Sequence, residues 1–581
     1  MGTLRNVAWF FKKNKKYYVI GISALIMCYF FIPIPTFFIG KIVDGLREQT
    51  LTKDILFTYT AIIFGSMVLL YIVEFTWHYH IFGNSFKFGR DNRRRLVQKL
   101  MSQNPEFYYK NSTGSLMSKA THDVGNLQML AGYGILALFD AIVYPISLIL
   151  IMGFTISWKL TFFSILALPL MIVFSAKLGK VLDEKFTRIQ KSMEELNESV
   201  LENVNSIRVI KGFSTQKITE KRFDEDATDL YNKLMDQNKL SALFFPIGRI
   251  IPAITFVVAL LVGEKMMGQS TLTLGQMVSF FMYLNMLTWP MFAFGDLINV
   301  WHESSSSVRR LQEVYEYKED FVEKENLQEY KGARDIEFKH FTFTYPGANM
   351  KSLDDINLKI SNGETLGIVG KIGSGKTTLV KQLLRLYNVK EDSLYIGGKS
   401  VEDYTRASIR DKIGYVPQQH ILFSKSVFDN IAFGGKGADA KLVDQAVEFA
   451  DFTKDLHTLP EGLETTIGER GVSISGGQKQ RISISRAIIK DPEILILDDS
   501  LSAVDSLTEK NIITNIKNER VGKTTIIVAH RLSGVKHADN IVVLEDGKII
   551  EQGNHEQLLA NKGWYYTQYE SQRLGGSNGK E

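Results

Sequence analysis

Apolar residues crowd into roughly the first 300 positions, in runs long enough to cross a bilayer. From Ile336 onward the pattern changes to short apolar runs of strand length alternating with helical stretches. A bilayer core of about 30 Å needs about 20 apolar residues in helix. Six segments meet that requirement: Tyr17–Ile39, Ile55–Phe82, Leu130–Ile156, Leu160–Leu182, Leu243–Met267 and Met277–Trp301. Pro33, Pro35, Pro145, Pro169, Pro246, Pro252 and Pro290 interrupt them, which kinked membrane helices tolerate when neighbours satisfy the freed backbone. Basic residues gather before the first span and after the second (Lys87, Arg90, Arg93, Arg94, Arg95 and Lys99). The positive-inside bias therefore puts both ends of this half in the cytoplasm. The polar stretches 83–129 and 179–242 keep a helical period, so the membrane helices are expected to continue into the cytosol. Phe107-Tyr108-Tyr109 and Phe213-Ser214-Thr215 mark the reversals, where short helices that press on a soluble domain are expected.

The second half reads as a separate domain. Thr365–Val369, Ile494–Leu497, Thr524–Val528 and Ile541–Leu544 have the continuous apolar character of buried parallel strands. The expected organisation is an amphipathic elbow helix over 1–16, a six-helix all-α transmembrane domain over 17–317, a charged linker over 318–335, an α/β nucleotide-binding domain over 336–570 and a disordered tail over 571–581. With 581 residues, the chain exceeds what one core organises. The formal charge of +5 lies beside membrane spans and forms no aromatic-interleaved stripe, which argues against nucleic acid as a partner. Cys28 is the only cysteine, so neither an internal disulfide nor a thiolate metal site is available. It sits in an apolar span as a small hydrophobe.

The chemistry concentrates in four places. Gly370-Lys371-Ile372-Gly373-Ser374-Gly375-Lys376-Thr377 follows a strand and opens a helix. Glycines at 370, 373 and 375 let backbone N–H groups turn toward phosphates, at a helix N-terminus that favours anions. Lys376 supplies a point charge for the β- and γ-phosphates of ATP, Thr377 a hydroxyl for Mg²⁺, and Thr378 reaches the α-phosphate. Asp498 ends an apolar strand, where an acid holds Mg²⁺ through water. His530 closes another strand and is placed to contact the γ-phosphate.

Ile474-Ser475-Gly476-Gly477-Gln478-Lys479-Gln480-Arg481 resembles the signature sequence of ATP-binding cassette (ABC) transporters, and other P-loop ATPases lack it. Six spans followed by one cassette resemble the ABC exporters built from half-transporters. This resemblance implies that Tyr345 stacks on adenine and that Gln418, in Val416-Pro417-Gln418, senses Mg²⁺ and the membrane domain. It implies that Glu469 touches the cytoplasmic loops, that Asp505 communicates across a cassette dimer and that His530 is the switch histidine. Cassettes pair head to tail in this family, so Ser475, Gly476, Gly477 and Gln478 are implied to face the γ-phosphate held by the opposite chain.

Two residues depart from the family pattern. Ile474 stands for a leucine, a swap expected to change little. Asp499 stands for the catalytic glutamate. A side chain one methylene shorter displaces its carboxylate by about 1.5 Å, and a misplacement of about 1 Å can cost about 10²-fold in rate. The resemblance then narrows to the degenerate-site subunit of heterodimeric bacterial multidrug exporters, with a second half-transporter as partner. A homodimer with slow ATPase and a lipid or lipopeptide flippase of the same architecture remain as alternatives, as does an ATP-sensing subunit. Intramembrane charge is costly unless it faces a cavity or a partner. Glu74, His78, Asp140, Arg249 and Asp296, with Trp289, are therefore candidates for a cavity that takes hydrophobic or cationic amphipathic compounds beside membrane lipids. An interhelical salt bridge such as Asp140 with Arg249 is the competing expectation.

Overall fold

The structure is a computed structural model and describes residues 2–317, 327–332, 334–389, 392–468, 472–502 and 504–577. Two compact units emerge: Met1–Ser102 with Asn111–Tyr317, and Gln103–Lys110 with Lys318–Glu581.

The first unit is helical throughout. Gly2–Lys13 forms the expected amphipathic helix, with Val7 and Phe10 buried and the Phe10 ring 4.8 Å from Phe88. Lys12 and Lys13 end it, where cations suit the helix dipole. The next helix, Lys15–Phe31, stops before Pro33, which cannot donate a backbone hydrogen bond, and Ile34–Arg47 resumes the run with Pro35 in its first turn. Ile34–Arg47 meets Leu274–Met286 backbone to backbone: a Cβ on Gly275 would lie 2.0 Å from the Gly40 carbonyl oxygen. At the same crossing Asp44 accepts from the Thr273 hydroxyl (2.7 Å) and the Gly275 amide (2.7 Å).

Among the described residues five helical stretches are long and apolar enough to cross a membrane. The expected fourth span, Leu160–Leu182, is not one of them. It divides between Trp158–Ile165 and Leu168–Asn205, with the break just ahead of Pro169. The apolar sequence continues across that break, so the segment is an interrupted helix rather than a polar one. Lys53–Ser102 runs for 50 residues and turns large apolar side chains outward, among them Phe57 (76% exposed) and Phe64 (72%). Surface of that kind needs a hydrocarbon environment. Leu168–Asn205 runs for 38 residues, well beyond membrane length, and Gln216–Ser241 adds 26 residues of polar helix, as expected of helices that enter the cytosol.

The second unit is α/β. Its main sheet has the order β10-β9-β3-β8-β7-β6, built from β3 (Thr365–Gly370), β6 (Ile413–Val416), β7 (Ile494–Asp498), β8 (Thr524–Val528), β9 (Asn540–Glu545) and β10 (Lys548–Gly553). All neighbours are parallel except the β9–β10 edge. Strands β7 and β8 are buried at every position, which is why they read as unbroken apolar runs. A second, antiparallel sheet has the order β2-β1-β4-β5, from β1 (Ile336–Phe343), β2 (Leu353–Ile360), β4 (Leu394–Ile396) and β5 (Lys399–Ser400). Because β3, β8, β7 and β6 lie side by side and run the same way, their C-terminal ends meet along one edge, the usual ligand crevice of open parallel sheets.

Two boundaries differ from expectation. The second part of the presumed linker belongs to the cassette: Gln328 bridges to Tyr404 and Tyr330 is buried in the core. Residues 571–577 are helical, within Trp564–Ser577, rather than disordered. Gln572 holds that helix, donating to the His530 carbonyl (3.0 Å) and accepting from the Leu532 amide (2.9 Å).

Candidate functional site

Four strand ends supply the site: β3 leads into the phosphate loop, β8 into His530, β7 into Asp498 and Asp499, and β6 into Gln418. In the loop, Gly370, Gly373 and Gly375 take φ values of +145°, +82° and +99°, which side chains rarely adopt. A Cβ on Gly370 would lie 2.1 Å from the Leu544 carbonyl oxygen, so the turn also needs the missing side chain. Helix Lys376–Leu383 then starts without a side-chain cap, leaving its first amides for an anion.

The resulting cavity of about 540 Å³ is lined by Tyr345, Met350–Ser352, Ile372–Thr378, Gln418, His530 and Asp546–Gly547. Lys376 donates to the Gly370 and Lys371 carbonyls (2.9 and 2.8 Å), and burial pulls its ammonium below the ordinary lysine range against the pull of Asp499 and Asp498. Asp498 is fully buried. It accepts from the Thr377 hydroxyl (2.8 Å) and the Tyr415 hydroxyl (3.2 Å), yet burial still pushes its carboxyl upward. Tyr345 and Thr378 share a hydrogen bond (3.1 Å). Ser374 Oγ is buried and has no hydrogen-bond partner among the described residues. An orphaned hydroxyl and uncapped amides at the cavity, with a buried carboxylate bonded to Thr377 behind it, fit a triphosphate with a hard divalent cation. Thr377, Asp498 and Gln418 offer the oxygen donors such a cation takes.

Asp499 occupies a left-handed conformation (φ +50°), sparsely populated for residues other than glycine but best tolerated by Asp and Asn. Its amide donates to the Val528 carbonyl (3.0 Å) and its carbonyl accepts from the Ser502 hydroxyl (3.0 Å), which fixes the turn. The carboxylate lies 4.0 Å from His530 Nε2, beyond hydrogen-bond length. Sequence periodicity carries no signal for this backbone state.

The signature residues form a different surface. Ser475 caps helix Gly476–Ile488, accepting from the Gln478 amide (3.2 Å), while Gln478 Oε1 accepts from the Ser475 amide (2.9 Å) in a capping box. Gln478 Nε2 turns back to Asp455 and Thr458 (both 3.3 Å), so the Gln478 side chain is engaged inside its own chain. Asp505 caps helix Ser506–Glu519, and hydrogen bonds from the Thr508 hydroxyl and amide hold its carboxyl down at about 2. Glu469 lies outside the described residues.

The membrane candidates do not gather into one cluster. Asp140 accepts from Tyr29 (2.6 Å) and from Trp289 Nε1 (3.1 Å). Asp296 accepts from Tyr133 (2.5 Å). The salt bridge of Asp140 with Arg249 does not form: Arg249 is exposed, and aromatic donors take its place. Glu74 and His78 are exposed on Lys53–Ser102, the His78 ring stacked on Phe82 at 4.7 Å.

Comparisons with known proteins agree with this architecture. Residues 18–291 match the ABC transporter transmembrane region family and residues 353–502 match the ABC transporter family. The chain is 42% identical over 571 residues to the probable multidrug resistance ABC transporter ATP-binding/permease protein YheI of Bacillus subtilis (strain 168), covering 98% of each. It is 34% identical over 575 residues to the multidrug resistance-like ATP-binding protein MdlA of Escherichia coli (strain K12), covering 99% of this chain and 97% of that one. The solved structure of a bacterial Atm1-family ABC exporter with ATP bound superposes with a TM-score of 0.79 at 22% identity, covering 96% of this chain and 98% of the other. A membrane-embedded helical half joined to an ATP-binding cassette is the plan of an exporter that couples ATP hydrolysis to transport, and this chain belongs to the ABC transporter family.

Proposed function

We propose that this chain is the degenerate-site half of a heterodimeric exporter of hydrophobic and cationic amphipathic compounds. The observation that carries the reading is Asp499. Lys376, Thr377 and Asp498 are intact around a cavity of nucleotide size, whereas the residue that should orient the attacking water is short and held 4.0 Å from His530. Phosphoryl transfer depends almost wholly on positioning, so binding survives where turnover does not. In this reading Tyr345 stacks on adenine, the loop amides and Lys376 hold the phosphates, and Thr377, Asp498 and Gln418 hold Mg²⁺. When bound, Mg²⁺ neutralises charge on the phosphates. Ser475, Gly476 and Gly477 complete a competent site on a second half-transporter, and Asp505 and His530 carry its state across the dimer.

Substrate class rests on the membrane half. Asp140 between Tyr29 and Trp289, and Asp296 beside Tyr133, place two carboxylates among aromatic rings, a chemistry that suits amphipathic cations. The named multidrug relatives support the same class.

The test is a pair of substitutions in the chain co-purified with its partner half-transporter. Asp499→Asn is expected to keep more than about half of the ATPase rate, while the amide variant of the partner's catalytic carboxylate loses about 10²-fold. Equal losses would establish two equivalent sites and sink the reading. Uptake of a cationic dye into inverted vesicles, scored beside transfer of a fluorescent phospholipid, checks the substrate class. Phospholipid transfer without dye uptake would replace it with a flippase.

A further inference from the structure

The short turn Thr453–Leu456 contacts both the signature helix, which the proposed reading assigns to the partner's nucleotide, and the Asp505 turn, which it assigns to communication across the dimer. Two adjacent side chains of that turn point to different elements. Asp455 takes Arg481 Nη2 at 2.6 Å and Gln478 Nε2 at 3.3 Å, both from the signature helix. The Asp455–Arg481 pair is nearly withdrawn from solvent, with side chains 13% and 8% exposed. Lys454 turns the other way. Its ammonium donates to Thr508 Oγ1 (2.6 Å) and to Asp451 (2.8 Å), and the Thr508 hydroxyl in turn donates to Asp505 Oδ2 (2.7 Å). Thr508 is fully buried.

A continuous polar path thus runs from the Ser475–Gln478 capping box, through Asp455, one peptide unit and Lys454, to Thr508 and the Asp505 cap. The Lys454–Thr508 and Thr508–Asp505 links have the short lengths of charge-assisted hydrogen bonds, the Gln478–Asp455 link is longer at 3.3 Å, and the Asp455–Arg481 ion pair beside it is shielded from water. We propose that Lys454 and Asp455 are positioning residues that tie the signature helix to the Asp505 turn, so that both elements approach the partner's ATP as one body. The inference rests on the reading that this chain's signature serves another chain's nucleotide. Neither residue touches the nucleotide; each acts through the element it holds.

The test uses the chain co-assembled with its partner half-transporter and the variants Lys454→Met, Asp455→Asn and their combination. The expected result is a loss of about 10-fold in kcat for each single variant with KM for ATP unchanged within about twofold, as for groups displaced only near the transition state. The double variant is expected to lose no more than the weaker single variant, because the links act in series. Lys454→Arg and Asp455→Glu should recover most of the rate, and melting temperatures should stay within a few degrees throughout. Unchanged kcat, multiplicative losses, or a rate loss that follows the melting temperature with no rescue would each overturn the bridge. Photolabelling with 8-azido-ATP after vanadate trapping separates the bridge from the reading beneath it. Loss of label from the partner chain supports both. Loss confined to this chain's own cassette, with the kinetic pattern intact, keeps the bridge and overturns the heterodimer.

Discussion

In the proposed reading one cassette presents two nucleotide-facing surfaces, built to different standards. On the phosphate-loop side Lys376, Thr377 and Asp498 line up for binding, whereas Asp499 is one methylene shorter than the glutamate that the proposal requires for hydrolysis. Asp499 sits in a left-handed turn, 4.0 Å from His530. On the signature side the one departure is Ile474 for leucine, and the described side chains that follow it are held in place. Ser475 and Gln478 close a capping box, Arg481 is clamped by Asp455, and Asp505 is fixed by Thr508. Binding tolerates displacement of a single carboxylate because many contacts share the load, whereas in-line transfer does not. A half-site can therefore lose its chemistry and keep its affinity.

The sharpest way to break this contrast is to damage binding itself. Lys376→Ala removes the buried ammonium from the loop and is expected to weaken ATP binding to this cassette by about 10²-fold, read by equilibrium binding of a fluorescent nucleotide. A loss below twofold would mean that the cavity around Tyr345 and Thr377 is not the nucleotide site. Repair is the next step. Asp499→Glu returns about 1.5 Å of reach to the carboxylate and should raise hydrolysis at this chain's own site by about 10-fold or more, measured as single-turnover release of phosphate. No gain would place the defect in the left-handed turn rather than in side-chain length.

Smaller effects address the membrane half and the cassette's own stability. Asp140→Asn keeps the hydrogen bond from Tyr29 but removes the charge. Transport of a cationic dye should fall about 3- to 10-fold while a neutral substrate is unaffected. Equal effects on both would leave Asp140 as a packing group. In the cassette, burial pushes His537 down to about 4, helped by Lys517 and Lys536 and opposed by Asp539. The folded state thus holds this histidine neutral while the unfolded chain protonates it near 6.5. The unfolded state binds more protons between those values, so this stabilisation is complete above about 6.5 and lost as pH falls toward 4. The cassette's melting temperature should drop over that interval, and His537→Gln should flatten the drop. An unchanged pH profile in the variant would assign the acid sensitivity to other groups.

Much of this molecule was legible along the chain, for local reasons. Thr365–Val369 and Thr524–Val528 announce themselves because both faces of each strand are covered. The loop from Gly370 to Thr377 does so because phosphate binding by backbone amides demands glycine at set positions. What escaped detection depends on distant partners. The antiparallel sheet around β1 draws on residues as far apart as Ile336 and Ile396. Gln103–Lys110 groups with the cassette although long membrane-unit helices flank it in sequence. Charge alone offered Arg249 as one partner for Asp140, yet the Tyr29 hydroxyl and Trp289 Nε1 bond it instead. The left-handed turn at Asp499 is set by hydrogen bonds to Val528 and Ser502, and only the first of these crosses strands.

The most direct measurement is ATP turnover by this chain purified without a partner, beside the same chain co-purified with its half-transporter. The account predicts that the lone chain binds ATP at its phosphate loop and hydrolyses it at least about 10²-fold more slowly than the complex. A lone, self-paired chain that turns over ATP at the rate of the complex would contradict it.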